Sequence, residues 1–331
     1  MQPLILAAQG DSQATPPVWF MRQAGRSLPE YRRARAGTSM LEACLIPELA
    51  AELTLQPVRR HGVDGAVFFS DIVIPLKLSG VGVSIVSGRG PVFEAPTRTR
   101  AEVEALVARE PGDMRVISTA VALAAQELKV PVIGFGGAPF TLAAYVVEGQ
   151  PSRDHLAART LMHADPEAWS MLLGWCARLT RAFLEAQIAG GAQIVQLFDS
   201  WAGALSRADY ERYVLPYSRA VLRGLPMPTI HFGVGTAHLL DLMGADADVL
   251  GVDYRTPLRS AAALVPGKPL QGNIDPALLA APWEVLAEHV DDVIAQGKAA
   301  PAHILNLGHG VPAHTDPDVL TRLVAYVKEK A

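Results

Sequence analysis

Short apolar runs alternate with longer segments of helical periodicity along the whole chain. Residues 47–61 are amphipathic at helical spacing and stop at Gly62. The run that follows, 65–69, is too short and too apolar for a helix and predicts a buried strand. On the same reading, residues 18–21, 131–136, 194–198, 228–232, 249–253, 269–273 and 303–307 are strands as well. Helices are expected over 99–109, 116–129, 139–147, 166–189, 210–222, 236–243, 259–265, 283–297 and 316–328. Residues 81–93 alternate around Gly88 and Gly90, as a hairpin-like excursion would. Eight short strands separated by helices predict a parallel sheet of the α/β class, closed as a (β/α)8 TIM barrel rather than left open. No Gly/Ser linker divides the chain, so residues 1–331 are expected to form one domain.

A barrel carries its chemistry at the C-terminal ends of its strands. The residues that follow the strands are Arg22, Gln23 and Arg26; Ser70 and Asp71; residues 136–140; Asp199, Ser200 and Trp201; residues 233–235; Asp253, Tyr254 and Arg255; Asn273, Ile274 and Asp275; and Gly308, His309 and Gly310. Polar and glycine residues thus gather where the fold places a site. The first of these groups is the most unusual. Between Pro16 and Arg35 stand five arginines, Arg22, Arg26, Arg32, Arg33 and Arg35, against one acid, Glu30. Such a run is commonly a solvated basic loop, but guanidinium forks also match carboxylate or phosphate oxygens in two-point contacts.

Composition narrows the possibilities. Half of the 331 residues are hydrophobic and 19% are charged, enough for a large core and unlike a disordered chain. A net charge of −4 argues against nucleic acid as partner. Of 29 cations, 23 are arginine, which suits a carboxylate ligand. Cys44 and Cys176 make neither a disulfide framework nor a metal pattern, in keeping with a reducing, cytoplasmic setting. No signal peptide or membrane-spanning run is recognised.

The single residues remain ambiguous by themselves. Asp71 and Ser200 are helix caps or site groups, Tyr145 is core or site, and His309 is a satisfied histidine or one held against a ligand by its flanking glycines. His231 and His238 lack a third ligand, the glycines near Gly134 fail the dinucleotide pattern at Pro139, and no Walker motif occurs. No metal, nucleotide or covalent cofactor is expected. The chemistry then falls to arginine, aspartate, tyrosine, serine and histidine acting on an anionic substrate.

The segments PVWFMRQAGRSLPEYR, FFSDI, GAPFTLAAYVVEG, QLFDSWAG, IHFGVGT, LQGNIDP and NLGHGV occur in this order over nearly the full chain, and together they closely resemble the uroporphyrinogen decarboxylase family. The resemblance implies a (β/α)8 barrel, a homodimer, and cofactor-free removal of CO2 from the four acetate side chains of uroporphyrinogen III. It implies that Arg22 and Arg26 bind substrate carboxylates on a loop shaped by Gln23, Ala24 and Gly25, with Arg35 as a further cationic contact. It places Asp71 under the macrocycle as acceptor for the pyrrole N–H groups and as catalytic carboxylate. Tyr145, Ser200 and His309 would complete the wall, and Arg22 would take part in proton delivery. Ser27 and Tyr254 depart from the family pattern, where tyrosine and tryptophan are usual. A zinc- or corrinoid-type methyltransferase and a non-catalytic tetrapyrrole binder are the rival readings on the same scaffold.

Overall fold

The computed structural model describes residues 2–330. Its strands are β1 (Ala66–Val67), β2 (Val83–Val86), β3 (Gly90–Phe93), β4 (Val132–Gly137), β5 (Ile194–Asp199), β6 (Thr229–Gly233), β7 (Val249–Gly251), β8 (Leu270–Ile274) and β9 (His303–Leu307). Seven of them form one parallel sheet in the order β1-β4-β5-β6-β7-β8-β9. The expected hairpin is present as β2 and β3, paired antiparallel outside that sheet.

The eighth expected strand, 18–21, is reduced to a single parallel bridge between Val18 and Leu305. Even so, it closes the ring. The Leu305 N–H donates to the Pro17 carbonyl at 2.9 Å and the Trp19 N–H to the Leu305 carbonyl at 3.3 Å. On the other side the Asp64 N–H donates to the Val18 carbonyl at 2.7 Å, and the Val18 N–H donates to the Asp64 carboxylate at 2.8 Å. Pro16 and Pro17 lack N–H donors, so a regular ladder cannot extend backwards from Val18.

Most helices fall where their periodicity predicts. Pro47–His61, Pro166–Ala189 and Trp283–Gly297 match to the residue, and Gly62 takes the left-handed conformation (φ 66°) that ends the first of these. The expected 210–222 helix is instead two, Arg207–Tyr213 and Leu215–Leu222, because Pro216 cannot continue an i→i−4 ladder. The expected 236–243 helix opens as a 3-10 turn, Ala237–Leu239, before Leu240–Gly244. Short helices Pro3–Ala8, Pro29–Ala34, Met40–Cys44 and Leu156–Ala164 escape the pattern, being too brief for a clear period.

Apolar side chains fill the barrel. Trp19, Met21, Val67, Ile133, Phe135, Ile194, Ile230, Phe232 and Ile304 form one buried cluster. Two glutamines inside are paired: Trp19 Nε1 donates to Gln271 Oε1 at 3.0 Å, and Gln271 Nε2 donates to Gln196 Oε1 at 2.8 Å. A larger apolar cluster joins the helices to the outer face of the sheet.

Candidate active site

The arginine loop begins where the closing segment leaves the barrel. The Met21 N–H donates to Asn306 Oδ1 at 3.0 Å, and the Met21 carbonyl accepts from the Val311 N–H at 2.8 Å. The loop is therefore stapled to the end of β9. Gln23 is fully buried: its Oε1 accepts from the Phe20 N–H, and its Nε2 donates to the Gly65 carbonyl. Its side chain braces the loop from within. Arg22 stands between these anchors at φ 62°, a left-handed conformation that is costly for a non-glycine residue. Ala24 and Gly25 follow half-buried, and the Gly25 carbonyl accepts from the Leu28 N–H. Arg22 and Arg26 are exposed. Ser27 is buried with its Oγ unpartnered. Glu30 is not matched to the neighbouring arginines. It is held by Arg60 in a two-point pair at 2.6 and 2.9 Å.

Arg35 lies beside Tyr31, donating from Nη1 to its hydroxyl at 3.0 Å, and Tyr31 packs edge-on against Phe69. Ser70 and Asp71 follow Phe69 directly. Burial and then the Asp71 charge push the Cys44 thiol up, so it is inert. Asp71 Oδ1 accepts from the Val73 N–H at 3.0 Å. Asp71 is half-buried, and burial raises its pKa above the ordinary value. The Val73 N–H and the Arg22 charge pull the other way.

Tyr145 projects from the helix Pro139–Glu148. Burial and then the nearby Asp71 charge push its hydroxyl up to about 12, with Arg22 opposing. Its ring lies 3.9 Å, centroid to centroid, from Trp201, whose other neighbour at 4.3 Å is the stacked ring of His155. Ser200 is half-buried in the turn after β5, next to this stack. Asp199, one of the polar residues at a strand end, is fully buried and structural. It accepts from Thr141 on the Tyr145 helix at 3.3 Å and from the Tyr210 hydroxyl at 3.4 Å.

His309 is accessible but crowded. Burial, then Arg22 and Arg255, lower its pKa below the ordinary value, so the ring is neutral at pH 7. The glycines on either side of it admit protein rather than leaving room for a ligand. A side chain at Gly308 would strike the Tyr254 backbone, and one at Gly310 would strike the Arg22 side chain.

Arg22, Asp71, Tyr145 and His309 thus converge electrostatically at the C-terminal ends of the strands, with Arg22 acting on the other three. Trp201 and Arg255 join them, although single-residue reasoning assigned neither a role. Their signal was position, since both directly follow polar strand ends. Among the described residues, no group of three or more His, Cys, Asp or Glu side chains is placed to hold a metal ion. A groove of about 430 Å³ at the opposite end of the barrel, lined by Gln9, Asp248 and Lys268 among others, gathers no comparable set of groups.

Comparison with known proteins identifies the family. The family model described as uroporphyrinogen decarboxylase (URO-D) matches residues 1–330. The uroporphyrinogen decarboxylase of Arthrobacter sp. (strain FB24) is 59% identical over 331 residues, covering 98% of this chain and 96% of that protein. That of Leifsonia xyli subsp. xyli is 55% identical, covering 98% and 93%. Among solved structures, a methyltransferase from Methanosarcina mazei superposes with a TM-score of 0.82 at 16% identity, over 99% of this chain and 97% of that one, a likeness of fold alone. With the site at its strand ends and the match running through the whole barrel, the chain belongs to the uroporphyrinogen decarboxylase family.

Proposed function

We propose that this chain decarboxylates the four acetate side chains of uroporphyrinogen III to methyl groups, giving coproporphyrinogen III and CO2 in tetrapyrrole biosynthesis. The observation that carries the reading is the chain's membership of this family, and the candidate residues Asp71, Arg22, Tyr145 and His309 lie on or near the C-terminal ends of the strands.

Loss of CO2 from an acetate leaves an electron pair that must be accommodated. A pyrrole protonated on a ring carbon becomes an iminium-like cation and accepts that pair as the C–C bond breaks. A second proton then converts the exocyclic carbon to methyl, and the ring-carbon proton leaves. Each turnover consumes one proton net and releases one CO2. Asp71 accepts the pyrrole N–H groups and stabilises the ring cation. The bond donors favour its ionised form and offset the burial that raises its pKa. A flat oxidised porphyrin, lacking hydrogen on two nitrogens, would be disfavoured. Arg22, Arg26 and Arg35 hold the acid side chains, on the loop that Gln23, Ala24 and Gly25 shape, and Ser200 adds to the wall.

Tyr145 keeps its hydroxyl proton at neutral pH and so can donate a hydrogen bond as well as accept one. His309, neutral at pH 7, acts as a hydrogen-bonding contact more than as an acid reservoir. Proton delivery is assigned to Arg22 acting through a bound water, since a guanidinium is by itself a weak acid. No metal or organic cofactor takes part in this scheme. The protein is proposed to act as a single-domain barrel, as a homodimer in the cytoplasm, following the family resemblance.

The test is an anaerobic assay with uroporphyrinogen, following coproporphyrinogen before and after exhaustive chelation. Full turnover in both is expected. Activity lost on chelation and restored by zinc would favour a metal-dependent chemistry, and tight porphyrinogen binding without turnover would favour a carrier.

A further inference from the structure

Uroporphyrinogen carries eight carboxylates, more than Arg22, Arg26 and Arg35 can each meet in a two-point contact. A further cation stands ready on another loop. Arg255 follows β7, and its side chain is 51% exposed. Its Nη1 donates to Asp253 Oδ2 at 2.6 Å, and its guanidinium lies 4.5 Å from the centre of the Tyr254 ring. Asp253 is itself buried and fixed. It accepts from the Gly235 N–H at 2.7 Å, and its carbonyl accepts from Asn273 Nδ2 at 2.8 Å. Arg255 is thus an exposed cation held in one orientation, with donors left over beyond the single Nη1 bond.

Its position ties it to the site. The Tyr254 backbone packs against Gly308 and the Arg22 side chain packs against Gly310, so the two arginine-bearing loops flank His309 at its two adjoining glycines. We propose that Arg255 is a substrate-binding and specificity residue, which with Arg22 supplies two cations on either side of the neutral His309 ring to take carboxylates of the tetrapyrrole rim. Asp253 and Tyr254 then act as positioning residues, holding the fork so that little freedom is lost when a carboxylate docks. The inference rests on the tetrapyrrole reading of the site.

Steady-state decarboxylation by the wild type, Arg255→Gln and Arg255→Lys tests it, with uroporphyrinogen and with a five-carboxylate porphyrinogen as substrates. Arg255→Gln should raise KM for uroporphyrinogen about tenfold, with kcat changed far less. The rise should be smaller for the five-carboxylate substrate, and kcat/KM should become less sensitive to salt. Arg255→Lys keeps the charge without the fork and should fall between. A KM and salt dependence equal to wild type in both folded variants would overturn the role of Arg255 alone. A KM rise equal for both substrates, with unchanged salt dependence, would assign Arg255 to loop structure instead. Absence of wild-type turnover would overturn the reading of the site, and this inference with it.

Discussion

At the scale of single residues, the proposed chemistry is assigned to Asp71 and Arg22, and each can be substituted without touching the core. Asp71→Asn keeps shape and the Val73 contact but not the charge proposed to stabilise a protonated pyrrole. Its kcat should fall about 10²- to 10³-fold in a protein that melts like the wild type. Near-normal turnover would remove Asp71 from the mechanism. The positive charge of Arg22 lowers the Asp71 pKa against the burial that raises it. If ionised Asp71 is required, kcat/KM falls as pH drops through that raised value. Arg22→Ala should then move the acid limb of the profile to higher pH, besides lowering kcat. A lower limb that stays in place, with only KM raised, would confine Arg22 to holding substrate. Tyr145 and His309 could not be told from core residues by type or spacing. Burial is the main cause of the raised pKa of Tyr145 and the lowered one of His309, and the charges that act on them further, Asp71 on Tyr145 and Arg22 and Arg255 on His309, lie far from them in sequence.

At the scale of elements, the site depends on how a few segments are clamped together. Asp199, at the end of β5, bonds Thr141 and Tyr210, fixing the Tyr145 helix to the sheet and to the helix Arg207–Tyr213. The stack of Tyr145, Trp201 and His155 then orients the Tyr145 ring. An aromatic contact of this kind is worth about 1 kcal/mol beyond simple burial. Trp201→Ala should therefore lower kcat about tenfold, while Trp201→Phe restores most of it. Equal kcat in wild type and Trp201→Ala would show that the stack is packing without consequence for the site. The long helices here were legible in advance because their stripes run for three turns or more. The split at Pro216 was not read, since the apolar period continues across the break even though the backbone ladder cannot. Leu156–Ala164 was missed because it follows His155, which sits at φ 49° and gives no capping signal.

Across the whole molecule, buried histidines couple stability to pH. Burial lowers both His61 and His303 to about 4. Nε2 of His303 donates to the Gly272 carbonyl at 2.6 Å, so the neutral ring suits its place. Below the unfolded-chain value near 6.5, the unfolded state binds protons that the folded state does not, so stability falls as pH drops from about 6.5 towards about 4. At pH 5 each histidine should cost about 2 kcal/mol relative to neutral pH. Urea midpoints at pH 7 and pH 5 should show the loss, and His303→Gln, which keeps a donor but cannot titrate, should show distinctly less of it. An identical pH dependence would place the acid sensitivity elsewhere. The alternation of apolar runs and helical stripes was enough to predict the barrel, because burial period and chain order are local properties. The arginine loop and the family motifs were legible for the same reason, being contiguous in the chain. The closing of the ring by one bridge at Val18, the tie of Asp199 to the helices that carry Thr141 and Tyr210, and the meeting of Arg22, His309 and Arg255 were decided only in three dimensions. Each depends on which distant backbone groups lack partners and which side chains the glycines at 308 and 310 let through, and no window of sequence contains both halves of such a contact.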